Sequence, residues 1–211
     1  MRIRKGARAG RLALLFALMA GALAVQGCRA EEPVYEHMIP PPGHGPYTGT
    51  VADWPLWFPM HQFGAYCFDT QRCEVRYAGF QHGGPDEKLQ PSVESFGRPI
   101  EDILRTGWGP YPNFPEPAKV TWTSLDGTAL TASVDFAEIF ADRMVRHTVA
   151  HEDILENSYI PYPGIILVVD DRTINTYMST WLPLKKSPSQ DSGSREGRVH
   201  TEVVLVHSTT Y

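Results

Sequence analysis

The alternation of apolar and polar residues in the middle of the chain predicts a β-hairpin. Residues 119–125 and 128–134 both alternate, and Asp126-Gly127 stands between the two runs. An Asp-Gly dipeptide between alternating, β-prone runs is the strongest short-range hairpin signal, because a type I′ turn needs positive φ at its central residues. The pattern therefore predicts two antiparallel strands joined by a type I′ turn.

A continuous apolar run predicts a second hairpin nearer the C-terminus. Residues 164–169 are Gly-Ile-Ile-Leu-Val-Val, which indicates a strand buried on both faces. Residues 170–172 are expected to turn the chain, and residues 173–181 to return as a strand whose register stays open, because its apolar residues have both offsets. The apolar residues 203–206 predict a last strand, over residues 199–209, that is also buried on both faces.

Helical signals are fewer and shorter. Asp135, followed three residues later by Glu138, is a helix-start signature and predicts a short helix over residues 136–141. A second short helix is expected around residues 99–105, inside the segment 83–117, which is rich in glycine and proline and otherwise irregular. Together the patterns predict an α+β fold, mostly antiparallel β: a single compact domain with β-hairpins and one or two short helices.

The first 27 residues have the pattern of a secretory signal peptide. All five charged residues among them are basic, and residues 12–24 form an apolar run. This run is shorter than the about 20 residues that span a bilayer. Val25-Gln26-Gly27-Cys28 resembles a bacterial lipobox, in which the cysteine becomes the lipidated first residue of the mature protein. The alternative is an ordinary secreted protein cleaved near residues 22–24.

The sequence after the signal peptide divides into two parts. Residues 28–50 are rich in proline and glycine, a composition that builds no core, and they are predicted to form a tether. Residues 51–211 are predicted to form the single β-rich globular domain, with a loop over residues 185–198.

The chain is acidic, and its predicted mature form is more so. The whole sequence has a formal charge of −5, and removing residues 1–27 leaves 14 basic against 24 acidic residues, a charge of −10. An acidic surface argues against binding to nucleic acid. It fits either a solvated surface or a basic partner, and both interpretations stay open.

The three cysteines fit an oxidising compartment. Cys28 is the predicted lipidation site, which leaves Cys67 and Cys73 as an even pair. We predict that these two residues form a disulfide that clamps a hairpin across its turn, with two free thiols as the alternative. A metal site is not expected, because two cysteines at this spacing lack companion ligands.

The sequence contains no catalytic motif of weight, such as a G-x-S-x-G elbow, a P-loop or H-E-x-x-H. His147 and His151 would share one face of a helix, but a zinc site needs further ligands, so surface or hydrogen-bonded histidines are favoured. Asp170-Asp171 is interpreted as a polar turn rather than a cation site. We therefore predict that the protein is not an enzyme and has no catalytic residues, no metal and no cofactor.

Aromatic residues are concentrated on two segments that are predicted to be irregular, residues 54–58 and residues 108–114. Such residues either anchor a protein interface or fold back to cover the sheet, and the second interpretation is the simpler one. If these segments contact a partner, the residues we select are Trp54, Trp57, Phe58, Trp108, Tyr111 and Phe114.

Three blocks of the sequence resemble a known family. The blocks are Leu56 to Phe58 with His61 to Thr70 and Cys73 to Tyr77; Phe114 to Gly127; and Ile165 to Leu167 with Asp171 to Met178. Together they cover most of residues 54–181. They are similar to a family of proteobacterial lipoproteins associated with immunity to the phospholipase effectors of type VI secretion.

The resemblance implies inhibition by stoichiometric binding in the periplasm. The chain would be held in the cell envelope by its lipid anchor, and would bind and inhibit a lipase-type secreted effector, a phospholipase toxin. Arg29, rather than an aspartate, follows Cys28, which by analogy favours the periplasmic face of the outer membrane over the inner membrane. The alternative is a structural or assembly lipoprotein of the bacterial envelope without enzymatic activity.

Overall fold

Two β-sheets packed face to face form the folded body of the chain. The structure, a computed structural model, describes residues 35–84, 86–185 and 198–211. The predicted signal peptide, the predicted lipidation site Cys28 and most of the predicted loop 185–198 lie outside the described residues.

The described residues contain nine strands in two sheets. These are β1 (Met60–Phe68), β2 (Gln71–Tyr77), β3 (Phe80–Gly83), β4 (Trp108–Pro112), β5 (Ala118–Thr123), β6 (Ala129–Val134), β7 (Gly164–Asp170), β8 (Thr173–Leu184) and β9 (Arg198–Thr210). The five-stranded sheet has the order β4-β1-β7-β8-β9, and the four-stranded sheet the order β3-β2-β5-β6. All pairs are antiparallel except β1 with β7. The prediction of a mostly antiparallel β fold is confirmed, although the five-stranded sheet is mixed.

The strand β7 is buried on both faces, as its apolar run predicts. Ile165 and Leu167 point into the core between the two sheets, where they join residues of β2 and β5 such as Val75 and Val120. Ile166 and its alternate neighbours point to the outer face of the five-stranded sheet, which residues 93–104 cover. Removing this apolar surface from water at about 25 cal/mol per Å² is the main force that holds the layers together.

The helices are too short to form a layer of their own. Each of α1 (Ile100–Ile103) and α2 (Phe136–Ile139) has four residues, at the positions that the sequence predicts. Asp135 caps α2, because its Oδ1 accepts a 2.8 Å hydrogen bond from the N–H of Ala137. The α+β prediction therefore overstates the helical content, and the architecture is a β-sandwich. Among the described residues, no helix combines the length and the apolar character needed to cross a membrane.

The β5–β6 hairpin is confirmed, but its turn is not of type I′. Gly127 has a positive φ of 84°, whereas Asp126 does not have a positive φ. The N–H of Gly127 donates to the carbonyl of Ser124, and the N–H of Ser124 donates to the carbonyl of Thr128, both at 3.0 Å. Gly127 is thus the single left-handed residue after a tight turn, which is the geometry of slightly longer hairpin loops.

The strand β9 is an edge strand, so the prediction that it is buried on both faces is wrong. It pairs with β8 and with no other described strand. Leu205 is 52 % exposed, and Val203, Val204 and Val206 are only partly buried. An apolar run alone does not distinguish a central strand from an edge strand, because the neighbouring strands decide which faces and edges are covered.

Cys67 and Cys73 form a disulfide, with their Cα atoms 6.2 Å apart. Cys67 lies in β1 and Cys73 in β2, and these strands belong to different sheets. The bond therefore joins the two sheets, and the prediction that it clamps a hydrogen-bonded hairpin is wrong. Asp69 and Arg72, with φ of 49° and 48°, let the chain cross between the sheets.

The described part of the predicted tether contacts the domain. The guanidinium of Arg143 donates to the carbonyls of His37 and Ile39, at 3.2 and 2.7 Å. Thr50 forms an antiparallel bridge with Tyr159. The chain is thus ordered against the sandwich before the domain boundary that composition suggests, because tertiary contacts hold this proline-rich stretch in place.

Candidate interaction surface

The first aromatic segment selected from the sequence packs into the protein. Trp57 and Phe58 are 2 % and 0 % exposed, so neither presents its side chain to a partner. The guanidinium of Arg143 covers the ring of Trp57, 5.4 Å from its centroid. Trp54 is half-buried and stacks on His151, with 4.5 Å between ring centroids. This segment therefore covers the core rather than projecting from it.

The second aromatic segment reaches the surface, where it meets Phe80, a residue that sequence reasoning did not select. Trp108 is 54 % exposed and Phe80 is 52 % exposed. Their rings stack, with centroids 6.4 Å apart and 27° between planes. The half-buried Tyr111 lies with its ring centroid 6.2 Å from that of Phe80. We name Phe80, Trp108 and Tyr111 the aromatic surface; Phe114 instead packs inward, edge-on to Phe58.

The aromatic surface forms where one edge strand of each sheet approaches the other. β3 is an edge of the four-stranded sheet, and β4 is an edge of the five-stranded sheet. Antiparallel pairing sets Phe80 opposite Tyr77 on β2, and Trp108 opposite Phe63 on β1. Because backbone pairing fixes both strands, the exposed rings stand on a rigid support.

The residues of β4 show why local pattern did not reveal this strand. Pro110 and Pro112 lack the N–H that a central strand needs, but an edge strand accommodates them. Gly109 has φ of 116°, and a Cβ there would lie 3.0 Å from the carbonyl oxygen of His61. Glycine therefore lets β4 approach β1 closely.

Behind the aromatic surface, three buried or half-buried side chains form a hydrogen-bonded chain. His61 is fully buried, with its Nδ1 2.6 Å from Oδ1 of Asn113 and its Nε2 2.7 Å from the hydroxyl of Tyr77. Nδ2 of Asn113 donates to the carbonyl of Phe58 at 2.7 Å, which leaves Oδ1 as the acceptor. His61 therefore donates from Nδ1, and the Tyr77 hydroxyl donates to Nε2.

Burial sets the protonation states of His61 and Tyr77. Loss of solvation lowers the pKa of His61 to about 4, against the opposing effect of its hydrogen bond to Asn113. Burial also raises the pKa of the Tyr77 hydroxyl well above its usual value. His61 is therefore neutral at pH 7. Its hydrogen bonds join β1 to β2 and to Asn113. Because none of its surface is exposed, it is out of reach of a substrate.

A histidine holds the aromatic surface against the core. His82 connects it to the core, lying edge-on to Trp108 and to Phe63 with centroid distances of 5.4 and 5.0 Å. Burial lowers the pKa of His82. Exposed rings with a polar tip, such as tryptophan and tyrosine, are favoured anchors of protein interfaces. Within residues 35–84, 86–185 and 198–211, no group of three or more histidine, cysteine or acidic residues is placed to hold a metal ion.

A turn signal in the sequence could have revealed Phe80. Ala78 and Gly79 have φ of 50° and 77°, and they join Tyr77 to Phe80 as a two-residue hairpin turn. Positive φ at both central residues is the type I′ pattern. Ala-Gly is a weaker form of this signal than Asp-Gly, because alanine has no side-chain hydrogen bond to favour the left-handed conformation.

The remaining candidate residues have structural contacts. Oδ1 of Asp171 accepts a 2.8 Å hydrogen bond from the N–H of Leu125, which agrees with a polar turn. His147 and His151 both pack on the ring of Trp54, at centroid distances of 5.3 and 4.5 Å. They do not share a helix, because only His151 lies in a short 3-10 helix.

In comparisons with known proteins, the chain matches no protein-family model, no curated protein and no solved structure. The resemblance to immunity lipoproteins over residues 54–181 therefore stays a prediction. Lipidation, localisation, partner and lack of enzymatic activity stay predictions with it. The aromatic surface is accordingly interpreted from its own geometry.

Proposed function

We propose that this chain is a lipid-anchored, non-catalytic binding protein of the bacterial envelope, an immunity protein that blocks a lipase-type secreted effector. Its contact with the effector is made by the aromatic surface. The observation that carries this proposal is the pair of exposed, stacked rings of Phe80 on β3 and Trp108 on β4, with Tyr111 beside them.

Rigid aromatic anchors give tight binding with little ordering on association. A large side chain that is already held in place loses less conformational entropy when a partner covers it. Trp108 is held by Phe80 on one side and by the buried His82 on the other. A few such residues supply most of the binding free energy in protein interfaces.

An inhibitor needs affinity and position rather than a reacting group. The side chain of His61 has no exposed surface, and its two ring nitrogens are hydrogen-bonded to Asn113 and Tyr77. The sequence signal at Cys28 supports the position, because a lipid anchor would hold the inhibitor at the phospholipid surface that such an effector attacks.

The test first asks whether a lipase-type protein is encoded next to the gene for this chain, and then co-produces that protein, directed to the periplasm, with the full-length chain. The wild-type chain is expected to restore growth and to co-purify with the effector. The Phe80→Ala/Trp108→Ala double variant should bind at least about tenfold more weakly. Leu125→Ala is the matched control, since Leu125 is 55 % exposed but lies on the β5–β6 turn.

Two results would contradict the proposal. One is growth arrest that the wild-type chain does not relieve, together with no lipase-type protein captured from the periplasm. The other is an envelope defect in cells that lack the chain and make no toxin, which would support a structural or assembly lipoprotein instead. Labelling with a palmitate analogue, lost in Cys28→Ser, tests the anchor separately.

A further inference from the structure

A groove of about 690 Å³ crosses the outer face of the five-stranded sheet, on the side away from the core. Its floor includes Gln62 of β1 and Ser179 of β8, and the strand β9 borders it. Tyr159 and Trp181 supply exposed aromatic surface, at 62 % and 43 %. We name this feature the outer groove.

Two glycines allow one wall of the outer groove to lie close to the sheet. A Cβ at Gly64 would lie 2.5 Å from the carbonyl oxygen of Arg105, and a Cβ at Gly164 would clash with Thr106 and Ser179. The hydroxyl of Thr106 then donates to Oε1 of Gln62 at 2.9 Å. The wall formed by α1 and the residues after it is therefore fixed in position.

The acidic side chains of this wall outnumber its single arginine. Glu101 and Asp102 are exposed, and among the described residues no cation lies within ion-pair distance of them. Arg105 also lines the groove, but its Nη1 donates to the main-chain carbonyls of Glu101 and Leu104 rather than to a carboxylate. The outer groove thus presents two unpaired carboxylates beside exposed aromatic rings.

Among the described strands, none pairs with the outer edge of the adjoining strand β9. It pairs only with β8 among the described strands. Between Val199 and Leu205 its pairing with β8 is regular, and this stretch contains neither lysine nor proline, two residues with which natural proteins protect an exposed edge; a bulge follows at Val206. Val199 and Leu205 are 42 % and 52 % exposed. An edge of this kind accepts an added strand through main-chain hydrogen bonds.

We infer that β9 and the outer groove bind an extended segment of a partner protein that carries lysine or arginine residues, by strand addition. The partner's main chain pairs with β9. Its alternate side chains enter the groove, where cationic ends meet Glu101 and Asp102 and aliphatic stems lie on Tyr159 and Trp181. This inference does not rest on the proposed function, because β9 and the β4 strand of the aromatic surface are opposite edges of the sheet.

The test uses the full-length chain, purified in mild detergent, and fluorescently labelled decapeptides in which apolar and charged residues alternate. The basic peptide is expected to bind at least about tenfold more tightly than its acidic counterpart, and to weaken with salt. N-methylation of alternate peptide amides should abolish binding, because it removes main-chain donors. Hydrogen exchange should slow at residues 199–205 when the basic peptide is bound.

Variants separate the groove from the rest of the surface. Glu101→Gln/Asp102→Asn should remove the preference for the basic peptide, whereas Leu125→Ala, on the exposed β5–β6 turn of the other sheet, should leave it unchanged. Equal binding of both peptides, binding of neither, or full binding of the N-methylated peptide would overturn the inference. So would binding of an oligosaccharide in place of peptide, or protection of β9 by self-association of the chain alone.

Discussion

The indole Nε1 of Trp122 donates a 2.6 Å hydrogen bond to the main-chain carbonyl of Asp171. Trp122 lies in β5 of the four-stranded sheet, and Asp171 lies in the β7–β8 turn of the five-stranded sheet. A second hydrogen bond links the same two sheets: Oδ1 of Asp171 accepts from the N–H of Leu125 at 2.8 Å. The two sheets are thus joined by hydrogen bonds at this end as well as by the apolar core.

Trp122→Phe should lower the free energy of unfolding by about 1–3 kcal/mol, because it leaves the Asp171 carbonyl without its donor and reduces packing volume. Urea denaturation of the two proteins measures the difference. Trp181→Phe is the matched control, since Trp181 is 43 % exposed. Equal changes for the two variants would count against a stabilising role for the hydrogen bond.

The free energy of unfolding should fall as the pH is lowered from about 6.5 to about 4, because His61 is buried in its neutral form. The imidazole of the unfolded chain takes up a proton below its usual pKa of about 6.5, whereas burial lowers the pKa of His61 in the folded protein to about 4. Protonation therefore favours the unfolded state, by about 3 kcal/mol once the pH reaches the lower value.

Urea denaturation at several pH values measures this effect. His61→Gln should be less stable than the wild type at pH 7, because the buried hydrogen bonds are disturbed, but it should lose about 3 kcal/mol less on acidification. His207→Gln, at an exposed position, should keep the pH dependence of the wild type. An unchanged pH dependence in His61→Gln would show that His61 does not control it.

Removal of the disulfide should lower the free energy of unfolding by about 2 kcal/mol, because a short closed loop restricts the unfolded chain. The comparison is between the wild type and Cys67→Ala/Cys73→Ala in urea. Reductant should bring the wild type close to the variant and should not affect the variant itself. Identical unfolding of oxidised and reduced wild type would contradict this prediction.

Gly64→Ala should destabilise the protein by about 1–3 kcal/mol, because the added Cβ meets the backbone oxygen of Arg105, which cannot rotate away. Gly107→Ala provides a control with nothing within 4 Å of its Cβ. That variant should stay within about 0.5 kcal/mol of the wild type. Thermal denaturation of both variants tests the difference, and similar melting temperatures would show that the wall of the outer groove yields easily.

Local pattern predicts the elements whose partners are near in sequence. The alternating runs around Asp126 and Gly127 form the β5–β6 hairpin, and Asp135 caps α2 as expected. The parallel pairing of Gln62 with Gly164 has no local signal, because it joins strands from distant parts of the chain. The spacing of two cysteines likewise does not tell whether their strands share a sheet.

The candidate surface was predictable only in part, for a similar reason. Trp108 and Trp57 both occur in proline-containing aromatic segments, yet one is exposed and the other buried. Trp57 is covered by Arg143, which lies far from it in the sequence, and by Tyr47, whose ring is edge-on to it at 5.2 Å. Phe80 was missed because its strand has four residues and follows an Ala-Gly turn.

The parallel partnership of β1 and β7 sets the order in which a newly made chain completes its fold. β2, the strand next to β1 in sequence, joins the other sheet, so the centre of the five-stranded sheet waits for β7 to be synthesised. Topologies with such distant contacts fold slowly. During that interval the edge of β1 that will receive β7 stays unpaired, and an unpaired strand edge of this kind is where a nascent chain is most exposed to misassociation.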